Sequence, residues 1–339
     1  MTGRTTRTAT PSSPVVKVLA AAVRRAARLG FPFVGTENLL IALVDAGGVG
    51  GVLGRGMLRA EAAARGTDHW AGDDLGPAGA PDDAVTALLR EAHHLVRRDT
   101  DLPGSVALRE CLREAITDAG GGVLTTAHLA VALLRAPSGR AAELFTVRRV
   151  DVGAAVAAVR AAAEPEDAPA VWLLRKAGAL RGEPGGGYVR WMTRFFVRGN
   201  NLGGPVLLAV RSEADRHAVR AGRSVTAAID LVAAVLTLDD QLASAGLRLR
   251  PEHESGGAAA LRAAGVEPAA LLGVGVEPAA GEAERASAGA KLVVARREDD
   301  VVGTAHLLVA LLDDPADPIG PALRGLGVDP AGLRASLGE

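Results

Sequence analysis

A chain of 339 residues has room for two or three domains of ordinary size, each with its own core. Apolar residues make up 48% of it but aromatic ones only 3%, so the core must come from Ala, Leu and Val, which favour closely packed helices, and an all-α fold is expected. Lysine and arginine (38) balance aspartate and glutamate (39) without forming a basic stripe, which argues against a nucleic-acid partner, and the single cysteine, Cys111, excludes an internal disulfide or a multi-cysteine metal site.

In chain order, residues 1–13 are polar, lack the apolar run of a secretory signal, and read as a disordered tail. A long helix is expected over 14–29, ended by Gly30, and a shorter one follows as TENLLIAL from Thr36. Residues 67–81 are rich in Gly, Ala and Asp, and DDAVTALLREAHHLVRRD after them has a strong amphipathic pattern; the stretch 67–98 reads as an insertion or a relocated fourth helix. The pattern then resumes with a helix over 105–119, TAHLAVALL from Thr126, and two shorter helices. Residues 164–187, with Pro and Gly at both ends, read as a linker around a short apolar helix. Beyond it come a helix over 205–221, AIDLVAAVL from Ala228, a helix over about 281–297, and TAHLLVALL from Thr304. The longest apolar run, 301–312, falls short of the roughly 20 residues that cross a bilayer. No membrane association is therefore expected, and a cytoplasmic location is.

The four short segments share one pattern, a polar start and then apolar residues at spacings of three and four, each preceded by a longer helix. Thr36, Thr126 and Thr304 are expected as N-cap residues, with Ala228 a poorer start. The repeats group into a first unit over 14–163 and a more divergent second over 188–337, about four helices to each repeat.

LGFPFVGTENLLIAL (Leu29 to Leu43) resembles the repeat signature of Clp N-terminal domains, and VVGTAHLLVALL from Val301 matches it with Ala305 in place of the glutamate. The resemblance is strong in copies one, two and four and weak in copy three. It implies two pseudo-symmetric helical domains that receive peptides, protein partners or peptide-like small molecules. It further implies a stand-alone, non-catalytic adaptor of the Clp proteolysis system, or alternatively a structural protein docking onto Clp ATPase or protease subunits. No motor is expected: the three lysines, Lys17, Lys176 and Lys291, lie outside any phosphate-cradling glycine loop. Some Clp N-terminal domains bind phosphorylated arginine at the signature helix start. That implies Thr36 and Glu37 as ligand residues in copy one only, because Ala127, Ile229 and Ala305 replace the glutamate elsewhere. Read from the residues alone, Glu37 is first of all a favourable first-turn acid.

Five of the nine aromatic residues, Trp172, Tyr188, Trp191, Phe195 and Phe196, cluster in or just after the linker, as a staple between units or an exposed partner patch. His93 and His94 are adjacent, hence poorly placed to chelate a metal, and are expected in solvent. His128 and His306 share a register with Asn38 and Asp230 and read as helix-start polar residues, while Cys111 reads as a core residue. With no nucleophile turn, metalloprotease motif or dinucleotide loop, neither catalytic residues, metal nor cofactor are expected.

Overall fold

Two of the long helices begin where the sequence offers a serine side chain to their free amides. Ser12 caps α1 (Ser13–Arg28) by accepting from the Val15 amide, and Ser105 caps α5 (Val106–Asp118) by accepting from Leu108. The computed structural model describes residues 9–54, 59, 83–96, 102–183, 203–272, 274, 278–316 and 318–338. Apart from two short strands, its regular elements are helices, and the fold is all-α. None of the described helices is long and apolar enough to cross a membrane.

The chain divides into two compact units, 1–168 and 169–339. In the first, α2 (Thr36–Ala46) and α6 (Thr126–Arg135) pack against each other, flanked by α1 and α5. Residues 36–44 are all buried, so α2 is enclosed on every side, and Leu39, Leu43, Leu129 and Leu133 form the centre of the core. Around them lie α3 (Val49–Val52), α4 (Asp83–Val96), α7 (Arg140–Val147) and α8 (Val152–Ala162). The amphipathic face of α4 is used against α1, with Val85, Leu88, Leu89 and Ala92 buried. Residues 67–82 and 97–98 of the expected insertion lie outside the described residues.

The second unit opens with α9 (Pro169–Ala177), the short helix of the expected linker stretch. It buries Ala170, Val171 and Leu174 against α10 (Pro205–Arg220) and α11 (Ala228–Ser244). Leu180 adds a backbone bridge to Leu249. There follow α12 (Gly257–Ala263), α13 (Pro268–Leu272), α14 (Glu282–Arg297), α15 (Thr304–Leu312), α16 (Gly320–Gly325) and α17 (Pro330–Ser336). Copy three, the weakest in sequence, gives the longest signature helix: α11 runs on through Ser244 until Gly246 takes the left-handed conformation a side chain disfavours.

Helix starts are paired crosswise within each unit. Strand β1 (Thr10–Pro11) precedes α1, β2 (Val123–Leu124) precedes α6, and their parallel pairing sets those two helix starts side by side. A parallel bridge between Val34 and Gly104 does the same for α2 and α5. In the second unit α10 packs with α15 and α11 with α14, and the Ala228 amide at the start of α11 donates to Glu282 at the head of α14. One expectation is corrected here: residues 9–13 are not a disordered tail, because Thr10 donates to Gly122 and Ser12 to Leu124, an extended pairing that composition does not reveal.

Candidate functional site

The four signature helices close their N-termini in one way. The third residue of each helix reaches back to the amide before the helix: Gly35 N–H donates to Asn38 Oδ1 (2.9 Å), Thr125 to His128 Nδ1 (3.0 Å), Ala227 to Asp230 Oδ2 (2.9 Å) and Gly303 to His306 Nδ1 (2.9 Å). The true N-caps are thus Gly35, Thr125, Ala227 and Gly303, and the expectation that Thr36, Thr126 and Thr304 are caps is off by one residue. The hydrogen-bonding weight at these starts falls on the third residue, which frees the threonine hydroxyls to bond other elements. In both rings Nδ1 acts as an acceptor, and His306 Nε2 then donates to Asp299 Oδ2 (2.8 Å).

Each start is covered from within its own unit. Thr36 Oγ1 accepts from the Ala141 amide in the first turn of α7, and a Cβ at Gly139 would lie 2.7 Å from that oxygen. Thr126 offers its amide (3.0 Å) and its hydroxyl to Glu166 Oε1, while the Ser12 hydroxyl donates to Glu166 Oε2. The Ala228 amide donates to Glu282 Oε2 (2.7 Å), whose other oxygen accepts from Ala279. Ala305 N–H donates to Ser255 Oγ (3.0 Å), which also bonds Thr304 Oγ1.

The candidate ligand pair Thr36 and Glu37 therefore sits beneath the surface: both residues, and Asn38 with them, are fully buried. The Glu37 carboxylate faces inward, where its field opposes the effect of burial on Arg25; burial wins, and the Arg25 guanidinium is held below its ordinary pKa. Glu37 is a first-turn acid of α2, and its carboxylate is buried there. Of the aromatic cluster, Trp172 is about half exposed on α9, with the Lys176 ammonium 5.8 Å from its ring centre; Tyr188, Trp191, Phe195 and Phe196 lie outside the described residues. Cys111 is buried in the core. His94 is exposed, whereas His93 is half-buried with Nε2 bonded to the Leu102 carbonyl (3.0 Å). Among the described residues no three His, Cys, Asp or Glu side chains gather to hold a metal.

Two further features involve residues outside those expected from the sequence. The first is a groove of about 640 Å3 in the second unit, floored by Val235, Leu238, Leu242 and Leu247 and reaching Ser255 and Thr304 at the start of α15. The second is a polar knot between α10 and α11. There Glu213, fully buried, meets Arg216 (3.1 Å) and Arg220 (4.0 Å), and the buried His217 bonds Thr237 Oγ1 (3.1 Å). Burial pushes the Glu213 carboxyl up, but Arg216 first, then Arg220 and His217, pull it down to about 2. No protein-family profile, curated protein or solved structure matches this chain.

Proposed function

We propose that the chain is a non-catalytic binding protein of the Clp-repeat type, an adaptor that takes peptides or protein partners rather than transforming a substrate. The observation that supports this reading is the shared closure of the four signature helices, in each of which the third residue accepts from the amide before the helix. A duplicated helical frame of this kind presents surfaces and grooves without needing a reactive centre. The proposed contact surface is the groove of the second unit, where an apolar floor ends at the polar pair Ser255 and Thr304. An apolar side chain would bury itself against Leu238 and Leu242 while a peptide backbone used the hydroxyls at the end.

The test is co-purification of partners with the full chain and with Ala243→Arg, which sets a long charged side chain into the groove from an exposed position. Client proteins retained by the native chain and lost at least tenfold with the variant support the reading. Partners consisting of Clp ATPase or protease subunits, equally retained by both, would move the function to docking on that machinery.

A further inference from the structure

The chain leaves the described part of the second unit, and rejoins it, beside the groove. On the way out, Leu180 is bridged to Leu249, the Arg181 amide donates to the Arg248 carbonyl (2.9 Å), and the Glu183 carbonyl accepts from Arg250. Arg248 and Leu249 both line the groove. On the way back, a Cβ at Gly203 would lie 3.5 Å from Val302, and one at Gly204 would lie 3.4 Å from Val301. These valines stand just ahead of Thr304, which also lines the groove. Residues 184–202 join the two points and lie outside the described residues.

The composition of that stretch matches the groove. It carries Tyr188, Trp191, Met192, Phe195, Phe196 and Val197, with Arg190, Arg194 and Arg198 between them and no Asp or Glu. The groove offers an apolar floor, with two carboxylates, Asp239 and Glu254, against one cation, Arg248. Asp239 accepts from Arg262 as well, while Glu254 is exposed. Four residues on either side of 188–198, among them Gly185, Gly186, Gly187 and Gly199, reach roughly 13 Å each when extended. Large apolar side chains gain most by leaving water, and a short tether gives a groove on the same unit a high effective concentration of them.

We propose that residues 188–198 are the groove's occupant from within the chain, so that a partner taken there competes with them. This rests on the groove being the contact surface proposed above, and it names the class of partner: a segment both aromatic and basic, which offers the same floor and the same two carboxylates what 188–198 offers.

The test uses the full chain as wild type and as the triple variant Tyr188→Ser, Trp191→Ser, Phe195→Ser, each with and without Ala243→Arg in the groove. The probe is a labelled peptide copying residues 188–198 (YVRWMTRFFVR). It should bind the triple variant at least tenfold more tightly than the wild type and lose that gain with Ala243→Arg. In a chain whose one tryptophan is Trp191, made by Trp70→Phe and Trp172→Phe, Ala243→Arg should raise acrylamide quenching at least twofold. That second readout decides the matter should the triple variant lose its helical circular dichroism. Peptide binding no tighter to a folded triple variant than to wild type, binding indifferent to Ala243→Arg, or unchanged quenching overturns the proposal. So does protection of Trp191 that is lost on dilution, which places the segment in the groove of a second copy. Client retention on the same proteins separates the two readings. Clients lost with Ala243→Arg but held equally by wild type and triple variant leave the contact surface standing and remove the internal occupant.

Discussion

Replacing Glu213 by Gln keeps the side chain's shape but removes the negative charge that Arg216 and Arg220 share inside the second unit. The native carboxyl has been drawn from an ordinary value of 4.5 to about 2, despite a burial that opposes this. A drop of that size at about 1.4 kcal/mol per unit corresponds to roughly 3 kcal/mol of stability at neutral pH. It agrees with the roughly 3–5 kcal/mol lost when one partner of a buried ion pair is removed. Because the folded-state pKa lies below the unfolded one, this stability is complete above pH 4.5 and drains away as pH falls towards about 2. Differential scanning calorimetry separates the test from the first unit. For a unit of this size roughly 3 kcal/mol lowers Tm by about 6–12 °C. Glu213→Gln should therefore melt its unit that much earlier at pH 7, and the two proteins should converge near pH 2. Equal melting at pH 7, or an equal loss of stability between pH 4.5 and 2 in both, would show that the Arg–Glu knot contributes nothing.

Other outcomes follow from single positions. Leu133→Ala opens a cavity at the centre of the first unit and should cost about 2–5 kcal/mol in chemical denaturation. Gly257→Ala places a Cβ 2.8 Å from the Thr304 carbonyl carbon and 2.9 Å from the Ala305 nitrogen, both backbone atoms, so it should destabilise the second unit by about 1–3 kcal/mol, read as an earlier calorimetric transition. Asp230→Ala removes the acceptor of the Ala227 amide and the partner of Arg223 and should cost at least about 1 kcal/mol, whereas Asp230→Asn, which keeps an acceptor, should cost less. Free phosphoarginine titrated into the full chain should give no micromolar binding isotherm, because Thr36, Glu37 and Asn38 are closed under the first turn of α7.

Apolar spacing at three and four exposed the signature helices and the long helices before them, because a buried face must repeat along a helix whatever it packs on. The shared register of Asn38, His128, Asp230 and His306 likewise marked helix-start polar residues, which is where the structure uses them. The threonines misled because Thr is a good cap in isolation, while at these starts a glycine, alanine or second threonine stands one place earlier. Glu37 was visible as a first-turn acid, but its burial depends on α7, about 100 residues further on, and no local pattern encodes that. Glu166 was hidden for the same reason: its partners are 40 and 154 residues away. The Glu213 knot leaves a same-face pattern, with Glu213, Arg216 and Arg220 at i, i+3 and i+7 of α10, but charges so spaced read on a single helix as a solvated face.

The crosswise pairing of helix starts also constrains how such a protein can grow. In a solenoid each repeat offers its neighbour a fresh face, so one more can always be added at the end. In the first unit the start of α1 is instead set against that of α6 and the start of α2 against that of α5, so these partners lie within the unit. The pair is closed, in the way a two-fold dimer is closed and a filament is not. A further helix added in sequence would find those starts already taken, which accords with a first unit that is compact by itself.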